Sequence, residues 1–339
     1  MRPMDVTIFR YSANQQEEAS DTLEDLKTLK AEDKVWIDIE TADAAAFALI
    51  AEQFKLHELA VEDCFTRGHF PKLEEFPGYL FIMLRGLKSI QDIEELRALE
   101  DHEEEYNSEK LTRSVAIFLG DNFIITHRLY EVSWLDAAVR QFKNNPDSFQ
   151  SFNPKEIALR IADVLTHRFQ RGMNYFEDQI DAAEDLVIQE PEKFEMLDLL
   201  ELKRDLNILL SINRDQQGIF TRLSQDEKLI PSRRTRRYFK NVEDRTSTIL
   251  QSVQRLIDNI ASVRDVYVAM SNVRLGDIMR ILAIITTIAA PLHLVVGLYG
   301  MNFQAIPLLH DKNGFWLIIG TMTILVIAML TFFKKKNWI

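Results

Sequence analysis

The chain has 339 residues, with 40 Lys and Arg against 52 Asp and Glu, and a formal net charge of −12. That acidic balance argues against nucleic acid as a partner, because phosphate contacts need concentrated Lys and Arg; a mean hydropathy of −0.13 excludes a chain built mostly of membrane spans. One cysteine, Cys64, excludes an intramolecular disulfide framework and fits a reducing compartment.

Residues 1–150 mix short β-rich runs with helical ones. Met1–Tyr11 lacks the apolar core of a secretory signal, so the N-terminal region is expected in the cytoplasm. Val6–Tyr11, Val35–Ile39, Tyr79–Leu87, Arg113–Leu119 and Asn122–His127 are rich in Val, Ile, Phe and Thr and read as strands. Asp43–Phe54 and Ser133–Phe142 read as helices, and Asp121-Asn122 between two strands predicts a tight hairpin. An α/β domain over 1–150 follows, closed by a boundary rich in Asn, Pro, Asp and Ser at 144–154. Within it, Asp92, Glu94, Glu95, Glu100, Asp101, Glu103, Glu104, Glu105 and Glu109 crowd one stretch. Such a run usually forms a solvated loop.

From Pro154 the spacing turns helical. Breaks at Glu190-Pro191 and Ile230-Pro231-Ser232 predict a helical hairpin over 151–232. Arg236 to Tyr299 holds one proline, Pro291, which predicts a single helix about 95 Å long. Its first part, 233–280, is a stalk opening on Arg233, Arg234, Arg236 and Arg237, a basic cluster best read as a solvated helix start. A helix of this length cannot bury itself in one chain. Ser262, Ala269, Gly276, Ala283, Ala290 and Gly297 form a row of small residues spaced by seven. Beside it runs a second, more polar row: Asp265, Asn272, Met279, Thr286, His293 and Gly300. A seven-residue repeat keeps one face toward a common axis, and small residues in membrane helices permit close approach. Two readings stand at this point: ordinary helix packing, or a symmetric pore that several copies line with the second row.

The membrane segments come last. No formally charged residue occurs from Ile281 to Leu309 or from Asn313 to Phe333, and about 20 apolar residues suffice to span a bilayer. Spans are expected over 281–300 and 315–333, joined by a turn and loop over 301–314. Lys334, Lys335 and Lys336 open the basic tail, 334–339, and the positive-inside rule puts them in the cytoplasm. Two spans then leave both termini cytoplasmic, in contact with lipid only through this pair. No Walker loop, nucleophile elbow or HExxH is present, and His57, His69, His102 and Cys64 lack metal-ligand spacing, so no enzyme and no resident cofactor are expected.

Between the spans stands Tyr299-Gly300-Met301-Asn302-Phe303. With Met270-Ser271-Asn272, Ile278-Met279, Pro291-Leu292, the Lys334–Ile339 tail and, upstream, Glu62-Asp63-Cys64, Pro71–Glu74 and Tyr79–Ile82, it resembles the CorA family of divalent-cation channels. The resemblance covers nearly the whole chain. It implies a homopentamer with an α/β cytoplasmic domain, a long helical stalk and two C-terminal transmembrane helices in the plasma (inner) membrane. It implies Mg²⁺ as substrate, with Co²⁺ and Ni²⁺ also carried, and Mg²⁺ as a regulatory ligand on the cytoplasmic side. Gly300, Met301 and Asn302 would form the filter, where neutral oxygens meet the waters that Mg²⁺ releases reluctantly. Asp265, Asn272, Gly276, Met279, Leu282, Thr286, Ala290 and His293 would line the pore, Met279 and Leu282 as an apolar constriction. Gly276 stands where the family usually has asparagine, Ala290 where it has a larger apolar residue, and His293 where it has a hydroxyl. Asn241 falls where the family often has an interfacial aspartate, which leaves the neighbouring Glu243 and Asp244 as regulatory candidates. The alternatives are a Zn²⁺ transporter of the related ZntB branch and a membrane-anchored metal sensor or scaffold that conducts nothing.

Overall fold

A computed structural model describes residues 5–11, 18–20, 26, 29, 33–98, 108–144, 153–301, 306–308, 311–336 and 338. The chain divides into two units. One holds residues 1–185 and 194–263; the other holds 186–193 and 264–339.

The first unit is built on a seven-stranded sheet. Its strands are β1 (Asp5–Tyr11), β2 (Glu18–Ser20), β3 (Lys34–Glu40), β4 (Lys72–Phe76), β5 (Tyr79–Leu87), β6 (Thr112–Gly120) and β7 (Phe123–Arg128), in the order β2-β1-β3-β7-β6-β5-β4. β3 and β7 run parallel; the other pairs among the described residues are antiparallel. The hairpin at Asp121-Asn122 joins β6 to β7 with Leu119 opposite Ile124. Two strands beyond the sequence expectation appear, β2 and β4. Phe76 faces Tyr79 across Pro77-Gly78, and Gly78 takes φ +91°, a conformation that favours glycine.

Alternation along the strands feeds two faces. On one, Val6, Ile8, Ile37, Ile39, Phe81, Met83, Phe118 and Ile125 pack with Phe47 and Ile50 of α1 (Ala44–Gln53) and Ala60 and Cys64 of α2 (Glu58–Phe65). On the other, Phe9 and Trp36 meet Phe142 of α4 (Ser133–Lys143), with ring centroids 5.2 Å apart in each pair. A further helix, α3, spans Ile90–Ala98. Glu100, Asp101 and Glu103–Glu105 of the acidic stretch lie outside the described residues. Asp92 accepts from the Ser89 backbone N–H at 3.2 Å, a local cap, and Glu109 from that of Gly68 at 3.1 Å, a tie across 41 residues.

A buried ionic centre ties β3, β7 and α4 together. The Arg128 guanidinium reaches Asp38 at 3.1 Å, Asp136 at 2.5 Å and Glu40 at 3.6 Å, and Thr126 donates to Asp38 at 2.6 Å. Burial pushes the Asp38 carboxyl above its ordinary range, against the pull of Arg128. Removing one partner from such a group costs about 3–5 kcal/mol, because the others stay buried and uncompensated.

Three long helices follow: α5 (Pro154–Gln189), α6 (Met196–Gln225) and α7 (Arg233–Tyr299). The breaks at Pro191 and Pro231 lie between them. The Gln216 side chain of α6 accepts from the Arg85 backbone N–H at 3.0 Å, and Arg222 bridges Glu75 of the β4 edge at 2.6 Å. Arg245 of α7 reaches Asp163 of α5 at 2.6 Å. In the second unit α7 continues unbroken to Tyr299 with Pro291 inside it, and α8 spans Gly314–Lys335.

His127 gives the first unit a pH response. Its ring lies 4.9 Å from Phe47 and 4.8 Å from Phe65, and its Nε2 donates to the Thr41 carbonyl at 3.0 Å. Burial lowers its pKa from 6.5 to about 4. Between those values the unfolded chain binds a proton that the folded one refuses, so this contribution is complete above 6.5 and is lost as the pH falls toward 4. The full effect is roughly 3 kcal/mol. His127→Gln cannot take up that proton. Its stability deficit relative to the wild type should therefore shrink between pH 7 and 4.5, read by thermal unfolding of the two proteins; a constant deficit would contradict the assignment.

Candidate functional site

The second unit has the chemistry of a chain in lipid. α7 and α8 are each long and apolar enough to cross a membrane, and almost nothing in those stretches is buried within the chain. Partly covered positions mark where the two helices meet. On α8 the large ones are Ile318, Met322, Val326, Met329 and Phe333, a stripe at steps of three and four, with Gly320 partly covered beside it. On α7 they are Ile284, Ile288, Pro291, Leu292, Val295 and Tyr299, together with the small residues Ala283 and Ala289. Val295, Val296 and Tyr299 share one cleft with Phe315, Ile318, Ile319 and Met322.

The opposite side of α7 is left bare. At about 100° per residue, the large covered side chains fall within about −20° to 80° of Ile284 and the partly covered Ala289 and Ala283 at about 140° and 260°, whereas Met279, Leu282, Thr286 and His293 fall between these, at about 160–220°. All four are exposed, Met279 by 60% and Leu282 by 55%. The small residues Ala283, Ala290 and Gly297 lie at about 220–260°, flanking that face. A Cβ added at Gly276 or Gly297 would meet no atom within 4 Å, so these positions have no packing partner among the described residues.

The predicted positions lie as follows. Asp265 is exposed and takes the Arg264 guanidinium at 2.8 Å. Asn272 and Ala290 are exposed. Thr286 donates back to its own helix, to the carbonyls of Leu282 at 2.8 Å and Ala283 at 3.1 Å. His293 Nδ1 lies 2.9 Å from the Ala289 carbonyl. Gly300 keeps its N–H on the Val296 carbonyl at 2.9 Å. Its φ is not positive, so the chain does not turn there through a left-handed residue; glycine serves close approach instead, because a Cβ would stand 3.1 Å from the Val296 oxygen. Met301 is exposed, and the Tyr299 hydroxyl donates to the Pro307 carbonyl at 3.2 Å, closing the turn. Asn302 lies outside the described residues.

Glu243 and Asp244 are adjacent on α7 but not free. Lys240 reaches Glu243 at 3.0 Å and Asp244 at 3.3 Å, and Ser224 donates to Glu243 at 3.0 Å. A divalent ion binding there has to displace that ammonium. Sequence reasoning missed two ion pairs and one aromatic stack beside the apolar stretch: Arg280 with Asp277 at 3.1 Å, Arg274 with Glu192 at 3.7 Å, and Trp338 on Phe333 with ring centroids 5.7 Å apart. The i,i+3 spacing of Asp277 and Arg280 was a readable signal.

Comparison with known proteins agrees with this architecture. The family model of the CorA-like Mg²⁺ transporter protein matches residues 31–335. YfjQ of Bacillus subtilis is 29% identical over 304 residues, covering 89% of each chain. The cobalt/magnesium transport protein CorA of Thermotoga maritima is 26% identical over 290 residues, covering 86% of this chain and 79% of its own. The complete structure of the CorA magnesium transporter from Methanocaldococcus jannaschii superposes with a TM-score of 0.82 at 17% identity, covering 100% of both chains. An α/β unit, a continuous long helix and two bare apolar helices joined by Gly300-Met301-Asn302, with the family match across 31–335, make this chain a member of the CorA-like Mg²⁺ transporter family.

Proposed function

We propose that the protein conducts divalent cations across the plasma (inner) membrane, Mg²⁺ foremost, with Co²⁺ and Ni²⁺ also carried. Five copies surround a pore lined by α7, with both termini in the cytoplasm. The carrying observation is the bare face of α7 that holds Met279, Leu282, Thr286 and His293. It points away from α8, and lipid would not favour its histidine. A ring of such faces leaves α8 outside, toward lipid, and turns the mixed neutral face inward. The names of the Thermotoga and Methanocaldococcus relatives, which give cobalt and magnesium transport, support Mg²⁺ and Co²⁺.

The pore row runs Asp265, Asn272, Gly276, Met279, Leu282, Thr286, Ala290 and His293. The polar groups at its cytoplasmic end are Asp265 and Asn272, and Met279 with Leu282 form an apolar constriction that can close by dewetting. Gly300, Met301 and Asn302 form the outer filter. It carries no carboxylate, so it selects by hydrogen-bonding the waters that Mg²⁺ retains. Gating by cytoplasmic divalent ions uses Glu243 and Asp244, in competition with Lys240.

Flux into liposomes tests this reading. Asn302→Ala should abolish Mg²⁺ uptake while the protein still purifies as the wild-type assembly; wild-type flux in that variant would sink the filter assignment. Assembly has its own test. Gly297→Leu puts bulk where neighbouring copies approach, at a cost of about 1–3 kcal/mol per site. The pentamer should dissociate in detergent, and an unchanged mass by native mass spectrometry would mean that Gly297 faces no interface.

A further inference from the structure

We infer that His293 forms a coordination site for divalent cations that accept imidazole nitrogen (Ni²⁺, Co²⁺ or Zn²⁺), and that these ions bind its Nε2 directly and obstruct the passage of Mg²⁺. This inference rests on the pore reading above and adds a residue that discriminates between ions.

Four side chains between Ile281 and Tyr299 carry nitrogen or oxygen: Thr286, Thr287, His293 and Tyr299. Thr286 spends its proton on the carbonyls of Leu282 and Ala283, and Tyr299 spends its own on Pro307. Thr287 falls at about 300° from Ile284, off the bare face. His293 differs from all three. A carbonyl oxygen only accepts, so the 2.9 Å contact to Ala289 puts the proton on Nδ1 in the neutral ring. The lone pair is then on Nε2, which has no hydrogen-bond partner among the described residues. Metal-binding histidines are commonly oriented in this way, with the second nitrogen bonded to a backbone carbonyl. The anchoring carbonyl is one turn back on the same helix, so the orientation does not depend on any other copy.

The coordination step is a ligand exchange. A hydrated cation releases one water, and the Nε2 lone pair fills the vacated position; no proton or electron moves. Imidazole suits Zn²⁺, Ni²⁺ and Cu²⁺, whereas Mg²⁺ favours oxygen and holds its waters. Mg²⁺ therefore passes His293 as a hydrated ion, and the borderline metals pause there. No carboxylate lies between Ile281 and Leu309, so charge attraction does not mask the difference between ligand types.

The test uses tag-free full-length protein in liposomes. Mg²⁺ flux is measured against rising NiCl2, with each protein normalised to its own flux without Ni²⁺. His293→Thr and His293→Gln should raise the half-inhibiting Ni²⁺ concentration by about tenfold or more, the scale on which a weakened metal site loses affinity. Equal inhibition of wild type and variants overturns the site while leaving the channel reading intact. If the wild type passes no Mg²⁺, the channel reading fails by itself, and X-ray absorption of Ni²⁺-loaded protein then decides the site. Imidazole scattering present in the wild type and weakened in both variants supports coordination by His293; identical spectra overturn it.

Discussion

Backbone satisfaction in hydrocarbon governs the second unit. A chain crossing lipid must bond every N–H and C=O within itself, which leaves helices as the solution here. α7 meets that demand for 67 residues, and the cost appears at one place, where Pro291 withholds its donor from the carbonyl one turn earlier. Continuity has a further effect. Because the helix does not stop at the membrane surface, the faces set by residues 264–280 and by residues 281–299 are fixed relative to one another by helix geometry alone. Side chains choose what each face touches, and the backbone chooses where each face points.

The first unit solves a different problem. Its sheet is covered on both faces, so polar groups inside it need partners. Asp38, Glu40 and Asp136 converge on one guanidinium, and His127 is held neutral between two phenyl rings. Neither arrangement lies near the bare face of α7 in sequence, and both are explained by the fold of the sheet. The edge strands are managed by chemistry as well: β2 is three residues long, and β4 carries Lys72, Glu74 and Glu75, with Arg222 of α6 across its outer side.

Much of this was legible in the sequence. A strand buried on both faces announces itself as an unbroken apolar run, as Tyr79–Leu84 does at the start of Tyr79–Leu87. β4 does not, because Lys72-Leu73-Glu74-Glu75-Phe76 is an edge strand with a charged pattern; the Pro77-Gly78 pair after it was the available signal. The Asp38–Arg128 pair spans 90 residues and exists only because β3 and β7 lie side by side, which no local pattern encodes. For the candidate site, spacing by seven is enough to write down the row from Asp265 to His293. What spacing cannot give is which row α8 covers, since that depends on the turn after Tyr299. Nor can it give the bond from His293 to Ala289, which depends on a side-chain rotamer.

The row also has a phase. An α-helix has 3.6 residues per turn, so positions repeated every seven lag by about 20° per repeat. Four repeats separate Asp265 from His293, an accumulated lag of about 80°. Any assembly that keeps both ends of the row at one axis must wind its helices left-handedly around each other. The length of the stalk is therefore quantised. One residue added between Asn272 and Met279 would swing every side chain beyond it by about 100°, so that His293 would no longer follow the face that Asp265 starts. Seven added residues would restore the phase and only lengthen the rod, by about 10 Å.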